Sequence, residues 1–174
     1  MQLTNPMDNQ PNAPDYRPGP FNNSSESKTK TFLARVGPLA LRWALGVTIL
    51  SAVADRFGLW GPPGTANVSW GDWPHFVTYT AKVNSFLPAV VAPALAIIST
   101  AAEALLGVAL PLGLFPRPVA WASAVLLALF AGAMTLSFGI KAPLNYSVFV
   151  DAAAALVLSV SPATETFRCT RRRA

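Results

Sequence analysis

Charge is distributed along this chain in a way that leaves few folds open. The 125 residues from Val36 to Val160 carry only nine charged side chains, whereas twelve sit in residues 1–35 and 161–174. A soluble domain has about a quarter of its residues charged, but here the share is 12%, against 52% hydrophobic. The middle of the chain is therefore suited to lipid and its two ends to water. The length fits one compact domain built from a few spanning helices.

Four apolar segments carry this reading. Val36–Ala54 (19 residues) contains Arg42 as its only charge, Ala89–Leu112 (24) only Glu103, Pro118–Ile140 (23) none, and Ala142–Val160 (19) only Asp151. At 1.5 Å per residue each covers about 28 to 36 Å, enough for a hydrocarbon layer of about 30 Å. Lipid cannot satisfy an unpaired backbone, and no alternating barrel pattern is present, so the segments are expected to be helices. The links at Gly113–Arg117 and around Lys141 are short and impose antiparallel neighbours. The expected fold is all-α, an integral membrane four-helix bundle running up-down-up-down through residues 31–162. Its spans fall at about 36–56, 88–113, 118–140 and 142–160.

The remaining regions read differently. Residues 1–30 hold five prolines and many Asn, Ser and Asp, a composition expected to be a disordered cytoplasmic extension rather than a cleavable signal peptide. The connection 57–87 carries Trp60, Trp70, Trp73, His75 and Tyr79 around the turn Gly61-Pro62-Pro63-Gly64. Aromatic residues at that density suit an extracytoplasmic segment lying at the membrane surface. Residues 163–174 form a basic cytoplasmic tail. With both ends inside, Lys28, Lys30, Arg35, Arg117 and the four C-terminal arginines face the cytoplasm, against Arg56, Lys82 and Lys141 outside. Eight against three favours that orientation. Basic clusters that flank spans act as topology signals and headgroup contacts, and no recognition motif accompanies them, so nucleic acid is not an expected partner. With Cys169 the only cysteine and His75 the only histidine, the chain encodes no metal centre of its own, whether a Cys-rich zinc site, an iron–sulfur cluster or a bis-histidine haem. Any redox cofactor would have to diffuse in or belong to a partner.

Arg42, Glu103 and Asp151 are the charges most in need of explanation, because a mid-membrane charge costs at least about 2.5 kcal/mol. Counted from the cytoplasmic ends of their spans, all three lie about 9 to 14 Å deep, and they are expected to meet at one level. Small and polar residues at four-residue spacing point the same way: Ser99, Glu103 and Gly107; Ala120, Ala124, Ala128 and Gly132; Ser147, Asp151, Ala155 and Ser159; and Arg42 with Gly46. Two uses are open: an ion-paired clamp with Arg42 between two carboxylates, or a proton-exchanging or ligand-binding site. A second candidate group at the outer surface combines Asp55, Arg56, Trp60, Trp73, His75 and Lys141, suited to a small anion or a quinone headgroup. Its plainer reading makes Arg56 and Lys141 interfacial anchors, with Asp55 the partner of Arg56.

Several stretches together resemble the DoxX family of four-span bacterial membrane proteins. They are Leu41-Arg42-Trp43-Ala44-Leu45-Gly46, then Ser51-Ala52-Val53-Ala54-Asp55-Arg56-Phe57-Gly58-Leu59-Trp60-Gly61, then Ala102-Glu103-Ala104-Leu105-Leu106-Gly107, and finally Lys141-Ala142-Pro143-Leu144 with Tyr146-Ser147-Val148-Phe149. The resemblance covers roughly residues 36–160 and rests on the order of short motifs. It implies a multi-pass protein of the bacterial inner membrane. It further implies a membrane subunit of a quinone-linked sulfur, thiol or oxidative-stress redox system, working with a soluble or membrane redox partner. Many relatives carry a lysine where this chain has Asp55-Arg56, and the resemblance assigns no catalytic residue. Two other classes stay open, a small proton-coupled transporter and a non-catalytic assembly subunit, as does oligomerisation. Against the transporter stands the absence from the sequence of an internal repeat and of a helix broken at mid-span.

Overall fold

The computed structural model describes residues 23–161, and among these every regular element is helical. In chain order they are α1 (Asn23–Arg56), α2 (Trp73–Val83), a 3-10 turn at Ala89–Val91, α3 (Ala92–Leu112), α4 (Pro116–Phe138), α5 (Lys141–Asn145) and α6 (Val148–Val160). The chain divides into two compact units, residues 1–33 and 34–174. In the first, the described residues from Asn23 onward are helical, so regular structure begins inside the stretch expected to be disordered. Within it the Thr31 hydroxyl donates to the Ser27 carbonyl at 2.9 Å. Residues 1–22 of the extension and the tail from 162 lie outside the described residues.

The second unit is held by a small apolar core drawn from four helices: Leu45 and Ile49 of α1, Leu110 of α3, Ala120 and Ala124 of α4, and Ala155 and Leu158 of α6. Most of these side chains are small, so the backbones approach closely and association rests on close packing. The α1–α3 crossing shows how tight this is. A Cβ on Gly46 would stand 2.6 Å from Pro111 Cδ and 2.8 Å from the Gly107 carbonyl oxygen, and one on Gly107 would stand 2.8 Å from Leu50 Cγ. Side chains larger than hydrogen do not fit at either position. Elsewhere, α4 lies against α3, α5 and α6, and α2 packs on both α3 and α4. At the far end of α2 the Ser137 hydroxyl of α4 donates to the Val83 carbonyl.

Three helical stretches are long and apolar enough to cross a membrane: Ser27–Arg56, Ala89–Leu112 and Pro116–Phe138. Their outward residues suit lipid, with Val90, Ile98, Leu105, Leu129 and Leu136 all largely exposed. The fourth expected span is not one continuous helix. It is divided at Tyr146–Ser147 into α5 and the 13-residue α6, and 13 residues cover only about 20 Å. Ser147 takes a left-handed conformation (φ 56°) that no helix interior accommodates.

Candidate functional site

Arg56 ends α1, and its guanidinium is buried against the middle of α3. Nη2 donates to both carboxylate oxygens of Glu103, at 2.7 and 2.6 Å, and Nη1 donates to the Thr100 hydroxyl at 2.7 Å. Arg56 is 3% and Glu103 4% exposed, so water does not screen this pair. Two rings cover it: the guanidinium carbon lies 3.9 Å from the Phe76 ring centre and 5.3 Å from that of Trp70. A cation facing desolvated rings gains from their quadrupoles. Arg56 Nε is buried with no hydrogen-bond partner among the described residues.

The loop that brings Trp70 here is organised by the neighbouring residue. Asp55 Oδ2 accepts from the backbone N–H groups of Ser69 (2.9 Å) and Trp70 (3.0 Å), tying the far end of the loop back to α1. Its other oxygen is buried without a partner among the described residues. Gly71 makes the fold-back feasible: it adopts φ +72°, and a Cβ there would come within 2.4 Å of Pro63 N. Trp70 meets Phe76 edge-on (5.1 Å) and Tyr79 at 5.6 Å, and Tyr79 continues to Phe138 of α4 at 6.0 Å. Burial raises the Tyr79 hydroxyl above its ordinary pKa, with a smaller contribution from Tyr146.

The two expected groups are thus redistributed. Arg42 does not meet Glu103. It lies against Gly113, the cap residue after α3, where a Cβ would stand 3.2 Å from Arg42 Nη1. Gly113 is ten residues beyond Glu103, or about 15 Å along the helix. Arg42 is 5% exposed, and its Nη2 has no partner among the described residues. Asp151 sits in the first turn of α6, half-buried, and its side chain makes no ion pair among the described residues. It occupies a helix N-terminus, where the dipole favours a carboxylate.

The outer group separates as well. Asp55 and Arg56 are buried and face different partners, so Asp55 is not the counter-ion of Arg56. Trp60, exposed, donates its indole N–H to the Ser51 carbonyl at 3.0 Å. Trp73 stacks on Phe57 with ring centres 5.9 Å apart. His75 is exposed and pairs with Asp72, whose Oδ1 lies 2.7 Å from Nδ1 and also accepts the His75 backbone N–H at 2.8 Å, capping α2. These two hydrogen bonds, the backbone one foremost, hold the Asp72 carboxyl below its ordinary pKa. Lys141 opens α5, exposed and away from these contacts.

Thr100, Phe76 and Trp70 complete the site; the sequence marks Trp70 only as one of the loop aromatics, and Thr100 and Phe76 not at all. The buried face of α3 is Ala92, Ala96, Thr100, Glu103, Gly107 and Leu110, a mixture of four- and three-residue steps that tracks 3.6 residues per turn. A strict spacing of four through Glu103 selects Ser99 instead, which is only half-buried and donates to the Ala96 carbonyl. Comparison with known protein families, curated proteins and solved structures yields no match to the chain.

Proposed function

We propose that this chain is a DoxX-type protein of a bacterial inner membrane. In this reading α1, α3, α4 and the α5–α6 segment form a four-helix bundle with both ends in the cytoplasm, and the chain is the membrane subunit of a quinone-linked redox system. The observation that carries the reading is the buried Arg56–Glu103 pair, placed halfway along an apolar helix beneath Trp70 and Phe76. An intramembrane ion pair is expensive to maintain and marks a functional site by default. Its chemistry suits a quinone substrate, a flat ring with two carbonyl oxygens that accepts two electrons and two protons.

Each residue has a role in that scheme. Arg56 is always charged and has Nε uncommitted, so it can donate to a headgroup oxygen and stabilise negative charge developing there. Glu103 keeps the guanidinium in place and, once that charge is shared with substrate, is free to hold or release a proton. Thr100 fixes the orientation of the second guanidinium nitrogen. Trp70 and Phe76 exclude water and offer faces on which a flat ring stacks.

The test is a titration of the purified protein in lipid nanodiscs with a short-chain quinone, read by quenching of tryptophan fluorescence. Saturable quenching that disappears in Glu103→Gln and weakens in Trp70→Phe is expected. Unsaturable quenching, equal in both variants, overturns the proposal.

The division of α5 from α6 favours a second reading, a small proton-coupled carrier. It supplies the broken helix that such carriers use and places Asp151 just beyond the break. Proteoliposomes that take up a solute under a proton gradient, with no electron donor present, would select this reading over the first.

A further inference from the structure

Arg42 presents a charge that the chain itself does not satisfy. The guanidinium is permanently cationic. It is nine-tenths buried, and Nη2 has neither solvent contact nor a hydrogen-bond partner among the described residues. Its position against Gly113 sets Nη1 near the C-terminal end of α3, where the helix dipole favours a cation. That accounts for one side of the fork and leaves the other idle.

The position matters as much as the orphaned nitrogen. Gly113 to Phe115 is the turn where two apolar helices, α3 and α4, end together, so it marks an edge of the apolar layer. Around it Leu112, Leu114 and Phe115 are exposed, and Arg117 stands in the first turn of α4. Such an edge is the depth of phospholipid phosphates, and a planar fork with free N–H groups matches a phosphate's paired oxygens. We infer that Arg42 and the α3–α4 turn form a seat for the phosphate of an anionic phospholipid. The guanidinium swings toward the open side of the turn to receive it, while the acyl chains lie along exposed Leu112 and Leu114. The seat depends on the membrane reading of the chain but not on the redox reading.

Native mass spectrometry of the full chain, released from micelles holding equal phosphatidylglycerol and phosphatidylcholine, tests this. Wild type is expected to retain phosphatidylglycerol about fivefold over phosphatidylcholine, corresponding to a modest difference in binding free energy. Arg42→Gln should lower the ratio well below that of wild type, whereas Lys82→Gln, on α2, should leave it unchanged. The C-terminal arginines attract anionic lipid on their own, so the deciding quantity is the difference between wild type and Arg42→Gln. Equal retention of both lipids by wild type overturns the seat, whether or not the variant folds. A ratio preserved in Arg42→Gln does the same. Retention of no lipid at all contradicts the membrane reading instead. If soluble glycerol phosphate stabilises wild type as well as phosphatidylglycerol does, the lipid source of the phosphate is refuted.

Discussion

Arg42 and Arg56 lie on one helix, fourteen residues apart, close to four full turns, so both face α3. They are equally inaccessible, at 5% and 3% exposure, yet their surroundings differ. Arg56 meets the middle of α3 and finds a carboxylate, a hydroxyl and two aromatic faces. Arg42 meets the end of α3 and finds a backbone turn. The difference shows that burial alone does not assign a role to an intramembrane charge. The level at which the helix meets its neighbour decides whether the charge is neutralised within the chain or left to be met from outside.

The largest effect should come from removing one member of the neutralised pair. Glu103→Ala leaves a buried guanidinium uncompensated and should cost about 3 to 5 kcal/mol, measured by unfolding in mixed SDS micelles. Replacing both partners with apolar residues, Arg56→Met with Glu103→Leu, should cost much less than the sum of the single changes, because no orphaned charge remains. Next comes the contact that sets the helix level. Gly46→Ala forces a Cβ against Pro111 and the Gly107 carbonyl, and should destabilise by about 1 to 3 kcal/mol through overpacking. A smaller loss, about 1 kcal/mol, the low end of the cost of unsatisfied N–H groups because water reaches the loop, is expected of Asp55→Ala. It should also raise the exposure of Trp70, seen as a red shift in its emission.

The smallest effect belongs to the exposed pair at the start of α2. Asp72 has its carboxyl held below the ordinary value by the His75 hydrogen bonds. Its contribution is therefore complete above the unfolded-state pKa of an aspartate and fades as pH falls through the lower folded value. A melting-temperature profile across acidic pH should show Asp72→Asn converging on wild type at the low end. Divergence there instead would mean that the cap does not titrate as the hydrogen bonds dictate.

The sequence exposed some of this arrangement and concealed the rest for physical reasons. Apolar runs marked three long helices because hydropathy reports what lipid tolerates, and three such helices are present. Small residues anticipated the close approach at Gly46 and Gly107. The Arg56–Glu103 pair was hidden because Arg56 stands at the end of an apolar run, where an arginine reads as an interfacial anchor, while Arg42 stands inside one. A depth counted from Val36 misplaces Arg42, because α1 starts at Asn23 and its register against α3 is set by glycine contacts that hydropathy cannot register. The stripe spaced at four on α4 drifts off the buried face within two steps: Ala128 and Gly132 are exposed, while Ala131 and Met134 are buried. The interruption of the fourth span falls at a left-handed Ser147, which an apolar count passes over.

The central claim is that Glu103 is the partner of Arg56 and not of Arg42. Two double-mutant cycles in the same lipid nanodiscs test it directly, one pairing Glu103→Gln with Arg56→Gln and the other pairing it with Arg42→Gln. The account predicts a coupling of about 2 kcal/mol or more in the first cycle and close to zero, within about 0.5 kcal/mol, in the second. Strong coupling between Arg42 and Glu103, with none between Arg56 and Glu103, would contradict it.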